Sequence, residues 1–330
     1  RQLIRRFEDQ GESALNYDRM TFADLADYYK KRYAVPAQYV NGQKVSGLRT
    51  YKDIQQQLSV LKDYFGKARL RAMTNGDIQK FRSDRLATPT RSGKQRTIAR
   101  VNRELALLRR VLNIANAEGW IIRSPFRGGD TLVSTAAEVK RERIITRAEE
   151  DQLLAQCIGP YKNLLPILIC ALDTGMRQGE ILKLIWDDID FTNRIITVRA
   201  FNTKTMRERQ VAMTARLEQE LLQLYSEGKS KNSLVFGTEN NLRKRFNTVR
   251  KDAGLPDVRF HDLRHTAATR MVSQHLPLSE VGRVLGHTQP STTYRYVNAN
   301  IETARRAAQA LDNYHAEEAE KKDKEQERIN

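Results

Sequence analysis

Apolar residues recur at helical spacing through most of the chain, broken by short polar or glycine-containing stretches. Phe22, Leu25, Ala26 and Tyr29 follow Thr21, so a helix over 21–29 with Thr21 as N-cap is predicted. Val35-Pro36 to Gly47 reads as a loop. Tyr51 to Phe65 reads as a second helix, with Ile54, Leu58, Leu61 and Phe65 at core spacing and Gly66 as its stop. A third helix starts at Asn75-Gly76-Asp77 and runs toward Leu86. A basic loop, Pro89 to Arg96, precedes a long helix from Thr97 to Glu118 whose apolar positions include Val101, Leu105, Leu108, Val111 and Leu112. Gly128 to Lys140 reads as a linker.

The second half mixes periods. Thr146-Arg147-Ala148-Glu149 is a capping box that opens a helix. Asn163 to Thr174 is apolar nearly throughout and is expected to be a buried spine. Ile195–Arg199 and Arg209–Ala212 read as two strands of a hairpin. Helices are expected over 214–227, 240–253 and from His261 to Val272, and an amphipathic one over 301–313. The fold class is therefore mainly α with a small β-hairpin or sheet. The divisions are 1–20, a linker or truncated arm; 21–127, a helical domain; 128–140, a linker; 141–313, a mixed domain; and 314–330, a charged tail. The tail reads either as a frayed solvated helix or as a docking segment. The chain opens at Arg1 rather than Met, which fits a missing N-terminal segment.

Charge adds a partner class. The formal net charge is +17. Residues 1–140 hold 27 lysines and arginines against 14 acidic residues, so most of the surplus lies there. A basic part of this kind suits a polyanion, most simply nucleic acid, although a merely soluble basic surface has the same composition. Arg91, Lys94, Arg96, Arg100 and Arg103 line one cationic loop-and-helix edge. Each of them alone also fits a solvated face. Cys157 and Cys170 stand in apolar helical contexts and outside metal-ligand spacing, which suits buried thiols in a reducing setting. No apolar run is long enough to span a bilayer.

Candidate chemistry centres on Phe260-His261-Asp262-Leu263-Arg264-His265, followed by Leu285-Gly286-His287 and by Ser291-Thr292-Thr293-Tyr294-Arg295-Tyr296. His261 and Arg264, three apart at a helix start, share a face that suits a phosphate. Arg177 stands at a glycine break after the apolar spine, with Glu180 one turn on to orient its guanidinium. Lys204 lies near the hairpin tip, where it is either solvated or a proton donor to a leaving oxygen. A tyrosine phenol needs cationic neighbours or a base to act as nucleophile at neutral pH. Tyr296 and Tyr294 both qualify by position. A zinc reading takes His261 and His265 as an i, i+4 ligand pair, but Asp262 stands where that motif has Glu.

In order and spacing these motifs resemble the tyrosine recombinase (phage integrase) family over roughly 140–312, with a weaker match over 21–125. Arg177, Lys204, His261, Arg264, His287 and Tyr296 fall on the family's catalytic positions, and Glu180 on its acidic position. Tyr294 does not. The resemblance implies a helical core-DNA-binding domain before a catalytic domain. It implies site-specific DNA strand exchange through a 3′-phosphotyrosyl intermediate, serving integration or excision of a mobile element, with no metal or other cofactor. Expected partners are double-stranded DNA carrying recombination sites, three further copies in a homotetramer on DNA, and accessory DNA-bending or directionality proteins. Expected localisation is cytoplasmic, with the nucleoid. A type IB topoisomerase, a telomere resolvase and a catalytically silent DNA-binding protein are the alternatives.

Overall fold

The computed structural model describes residues 18–40, 43–126, 132–134, 136, 138, 141–200, 207–225, 230–237, 241–296 and 308–316. The chain divides into two compact units, 1–140 and 141–330. The fold is mainly helical with two small antiparallel sheets, as the pattern predicts.

In the first unit, α1 (Phe22–Arg32), α2 (Tyr51–Phe65), α3 (Asn75–Ala87) and α4 (Ile98–Ala117) bury one apolar stripe each. Thr21 with Asp24, and Thr74 with Asp77, form reciprocal capping boxes that fix the starts of α1 and α3. Phe22, Tyr29, Phe65, Phe81, Leu105 and Leu112 fill the centre. Glu104 of α4 is fully buried and takes two hydrogen bonds from Arg85 of α3, both at 2.8 Å, and one from Arg100 at 3.1 Å. That ion pair fastens α3 to α4. The expected loop over 35–47 instead contains a hairpin, β1 (Gln38–Val40) with β2 (Gln43–Ser46). Almost every residue in it is exposed, so no apolar alternation marks it in the sequence.

In the second unit, α5 (Arg147–Ala155) opens at the Thr146–Glu149 capping box. The apolar spine starts as a 3-10 turn over Gly159–Leu164 and becomes α6 (Leu165–Thr174), whose side chains are almost all buried. Pro166 is tolerated because it stands in the first turn. Next come the short α7 (Gln178–Ile181) and the antiparallel sheet β3 (Ile189–Asp190), β4 (Ile195–Val198), β5 (Arg209–Ala212), in that order. Ile196 pairs with Val211 and both face the core. Helices α8 (Ala215–Leu224), α9 (Leu242–Asp252), α10 (Phe260–Ser273), α11 (Leu278–Leu285) and α12 (Pro290–Tyr294) complete it. Helices α10 and α8 pack on α6. Residues 308–316 are helical and exposed, three residues past the expected end at 313.

Five expectations fall wholly or mostly outside the described residues: Lys204, the segment 1–17, the linker around 128–140, the helix over 301–313, of which only 308–313 are described, and the tail beyond 316. Among the described residues no helix is long and apolar enough to cross a membrane.

Candidate active site

Two glycines turn the chain toward one point. Helix α6 ends at Gly175 in the left-handed region, φ 64°. A Cβ there would meet Leu285 Cδ2 at 2.6 Å, so only glycine fits the turn. The carbonyl it presents accepts a hydrogen bond from Arg264 Nη1 at 2.6 Å. Helix α11 ends at Gly286, φ 68°, and the Leu285 carbonyl accepts from Arg264 Nη2 at 2.8 Å. Arg264 is thus 3 % exposed and clamped between two helix ends. Burial and the nearby Arg177 charge lower its pKa to about 10.

Arg177 caps α7 and keeps 27 % of its side chain exposed. Its Nη1 donates to Glu180 Oε1 at 2.9 Å, and its backbone N–H to Glu180 Oε2 at 3.0 Å. Arg209 of β5 donates from Nη2 to the same Oε2 at 2.7 Å. Burial works to raise the Glu180 pKa, but Arg209 and then Arg177 outweigh it, so the carboxyl sits below its ordinary value.

His287 Nε2 lies 3.0 Å from Arg264 Nη2 and its Nδ1 lies 2.9 Å from Thr293 Oγ1. A guanidinium can only donate, so Nε2 accepts and a neutral ring carries its proton on Nδ1, directed at Thr293. The ring is neutral at pH 7: burial, Arg264 and Arg177 bring its pKa to about 4. Tyr296 is 4 % exposed, its ring stacked on His287 at 6.0 Å and 10° and tilted against His265 at 5.4 Å. Tyr296 also acts electrostatically on Arg264. Tyr294 is 64 % exposed and points out of this cluster. His261 sits at the exposed rim, edge-on to His265 at 5.0 Å. Crowding by the surrounding protein, then the Arg264 charge, lowers its pKa.

The second unit therefore brings Arg177, Glu180, His261, Arg264, His287 and Tyr296 together, across 120 positions of sequence. Three members of the cluster escaped the sequence reading: Arg209, His265 in a contact role, and Thr293. Arg209 had a signal. It shares the inward strand face with Val211, where a charge needs a partner. Asp262 closes the α10 start, accepting from the Arg259 N–H and from Arg141. Among the described residues no group of three or more His, Cys, Asp or Glu side chains is placed to hold a metal ion.

The first unit's cationic edge is less uniform than its sequence. Arg91, Lys94 and Arg103 are exposed. Arg96 donates to the carbonyls of Thr88 and Pro89, and Arg100 serves Glu104.

Residues 140–303 match the phage integrase family. Through them the chain belongs to that family. It is similar to the shufflon-specific DNA recombinase of Escherichia coli, 30 % identical over 68 % of this chain and 58 % of that protein. It is also similar to tyrosine recombinase XerA of Saccharolobus solfataricus, 34 % identical over 42 % of this chain and 47 % of the other. The chain spans about three-fifths of the length of the first curated relatives it matches. Among solved structures, Tn1549 transposon integrase with transposon right-end DNA superposes with a TM-score of 0.70 at 16 % identity, over 89 % of this chain and 100 % of the other. A lambda integrase dimer on a core site gives 0.65 at 19 % identity, over 86 % and 97 %. At these identities the superpositions establish the family's fold.

Proposed function

We propose that the chain is a tyrosine-type site-specific DNA recombinase that cuts and rejoins DNA for a mobile element. One observation carries the reading. The Tyr296 ring lies on a neutral His287 that is itself bonded to the buried guanidinium of Arg264, with Arg177 close enough to disfavour the Arg264 charge. Such a site holds excess positive charge in a low-dielectric setting, and a phosphodiester relieves it.

The Tyr296 phenol oxygen attacks phosphorus as its proton departs. The 5′-oxygen leaves, and a 3′-phosphotyrosyl bond conserves the ester for the reverse step. Arg177 and Arg264 stabilise the non-bridging oxygens. His287 directs the Arg264 guanidinium through its unprotonated Nε2, and it donates to a non-bridging oxygen only in the tautomer that carries the proton on Nε2, with Thr293 Oγ1 then donating to Nδ1. His261, at the rim, assists proton transfer, and Lys204 protonates the 5′-oxygen. The Lys204 role rests on sequence alone. Arg91, Lys94 and Arg103 contact DNA phosphates, with Arg96 and Arg100 shaping that edge.

The fold neighbours include a lambda integrase tetramer on a Holliday junction, which supports four protomers on DNA here. Accessory DNA-bending or directionality proteins and a place on the nucleoid complete the expected setting.

The test is covalent capture. The chain is incubated with a pool of nicked duplexes of randomised sequence, and adducts surviving denaturation are sequenced. Tyr296→Phe should retain DNA binding and yield none. An adduct on that variant removes Tyr296 as nucleophile, and no adduct on the wild-type chain removes the recombinase reading.

A further inference from the structure

Arg209 is only 9 % exposed, yet it lies on a strand that leads out of the segment holding Lys204. Its two hydrogen bonds go to two different elements, and its flank packs on a third point. Nη2 meets Glu180 Oε2 at 2.7 Å, at the start of α7. Nε donates to the Val284 carbonyl at 2.8 Å, in the last turn of α11. Its Cδ, Nη1 and Cζ pass over Gly286, where a Cβ would stand only 3.1 to 3.2 Å away. The turn between α11 and His287 is therefore shaped around this side chain.

Two lines run from it into the cleavage site. Glu180 divides its oxygens between Arg209 and Arg177, so the carboxylate that aims Arg177 is itself held by Arg209. Val284 adjoins Leu285, whose carbonyl holds Arg264, and the same turn delivers His287 to Arg264. The contacts of Arg209 are to Glu180, Val284 and Gly286 rather than to Tyr296, so it acts through others.

We propose that Arg209 is a positioning residue of the cleavage site, seating Arg177 through Glu180 and the Leu285–His287 turn through Val284, and tying both to the strand that follows Lys204. This rests on the recombinase reading above. A bidentate guanidinium is required because the two acceptors lie on different elements, and a lysine ammonium cannot span both in the same geometry.

The experiment uses the full chain and the duplex captured by the wild type from the randomised pool. Adduct formation and duplex affinity are measured for Arg209→Gln, Arg209→Lys, Glu180→Gln and the double variant Glu180→Gln/Arg209→Gln. Arg209→Gln should bind the duplex within about threefold of wild type and form adduct at least about tenfold more slowly, with Arg209→Lys between the two, on the scale of a lost positioning contact. The double variant should be no slower than the slower single, because both changes break one linkage. Cleavage by Arg209→Gln within about threefold of wild type overturns the proposal, as does multiplication of the two single effects in the double. If Arg209→Gln fails to fold, Arg209→Lys decides: slowed cleavage at wild-type affinity supports the role, and wild-type cleavage overturns it.

A DNA-free readout separates this from the function itself. In a chain labelled with 15N-histidine, the His287 resonances should show a neutral Nδ1-protonated ring, and Arg209→Lys should shift them. Unmoved His287 resonances overturn the positioning role even where cleavage slows. A wild-type chain that captures no duplex sinks the recombinase reading, and the resonances still decide the role of Arg209.

Discussion

Acidification from pH 7 to pH 5 should weaken the second unit through two histidines. His265 is 7 % exposed and burial, followed by the His261 and Arg295 charges, takes its pKa from 6.5 to about 4. His287 is half-buried and reaches about 4 under burial and the Arg264, Arg177, Arg295 and Arg209 charges. In the unfolded chain both titrate near 6.5, so below that pH the unfolded state binds protons that the folded state refuses. Stability is complete above pH 6.5 and is lost as pH falls toward 4. For a group with these two values the loss between pH 7 and pH 5 is about 2 kcal/mol, and about 4 kcal/mol for the pair as an upper bound, since His287 is partly solvated. Among the carboxylates, burial raises the pKa of Glu220, whose protonation favours the folded state and so opposes this loss. Glu149 is held at about 2 by Arg143 and the Thr146 N–H, and Glu150 and Glu180 also sit below 4.5, so all three stay ionised at pH 5. The assay is urea unfolding followed by the fluorescence of Trp186, which lies in this unit's core. The midpoint should fall at pH 5 in wild type and fall much less in His265→Gln/His287→Gln. Equal midpoints at the two pH values in wild type refute the reasoning, because neutral burial of the rings would then carry no proton linkage.

Other perturbations follow from single contacts. Gly175→Ala places a methyl 2.6 Å from Leu285 Cδ2 on a left-handed backbone, and should cost more than about 2 kcal/mol in urea unfolding; a loss under about 0.5 kcal/mol refutes the close approach. Glu104→Leu leaves the partly buried Arg85 without its partner and should cost the first unit about 3 kcal/mol, whereas Arg85→Met/Glu104→Leu should recover most of it, both read by thermal unfolding. Thr293→Val keeps the shape but removes the acceptor for His287 Nδ1, and should slow adduct formation several-fold for a stability loss of about 1 kcal/mol; wild-type cleavage in this variant refutes the tautomer.

The helices were legible because each pairs a periodic apolar stripe with a local start signal. Thr21, Thr74, Thr97 and Thr146 all cap where their sequence neighbours suggest, and these contacts reach only three residues along the chain. The β1–β2 hairpin was not legible, because a strand pair with neither face buried has no pattern to display. Within the cluster, residue types that match a motif were readable and those defined by a distant partner were not. Thr293 is one threonine among many until His287 arrives beside it, and His265 reads as a spare ligand until Tyr296 packs on it. Tyr294 and Tyr296 were separable only by the family spacing. In the structure burial divides them, because Tyr296 faces α10 and α11 while Tyr294, two residues earlier on a short helix, faces outward.

The placement of Arg264 shows why the chain brings these pieces together at a cost to its own stability. A guanidinium 3 % exposed is normally matched by a carboxylate, since an unpaired buried charge is expensive. Arg85 has Glu104, and Arg216 has Asp173 and Glu150. Arg264 has instead two backbone carbonyls and a neutral imidazole, all of which accept without neutralising it. Its nearest acidic neighbour in effect is Glu180, whose hydrogen bonds already go to Arg177 and Arg209. The fold thus satisfies the geometry of Arg264 while leaving its charge without a carboxylate partner, and a carboxylate brought close enough to neutralise it would stabilise the unit and occupy the space that the proposed function reserves for a phosphate. Charge left open at fixed hydrogen-bond geometry distinguishes a group kept for an incoming anion from one recruited for structure.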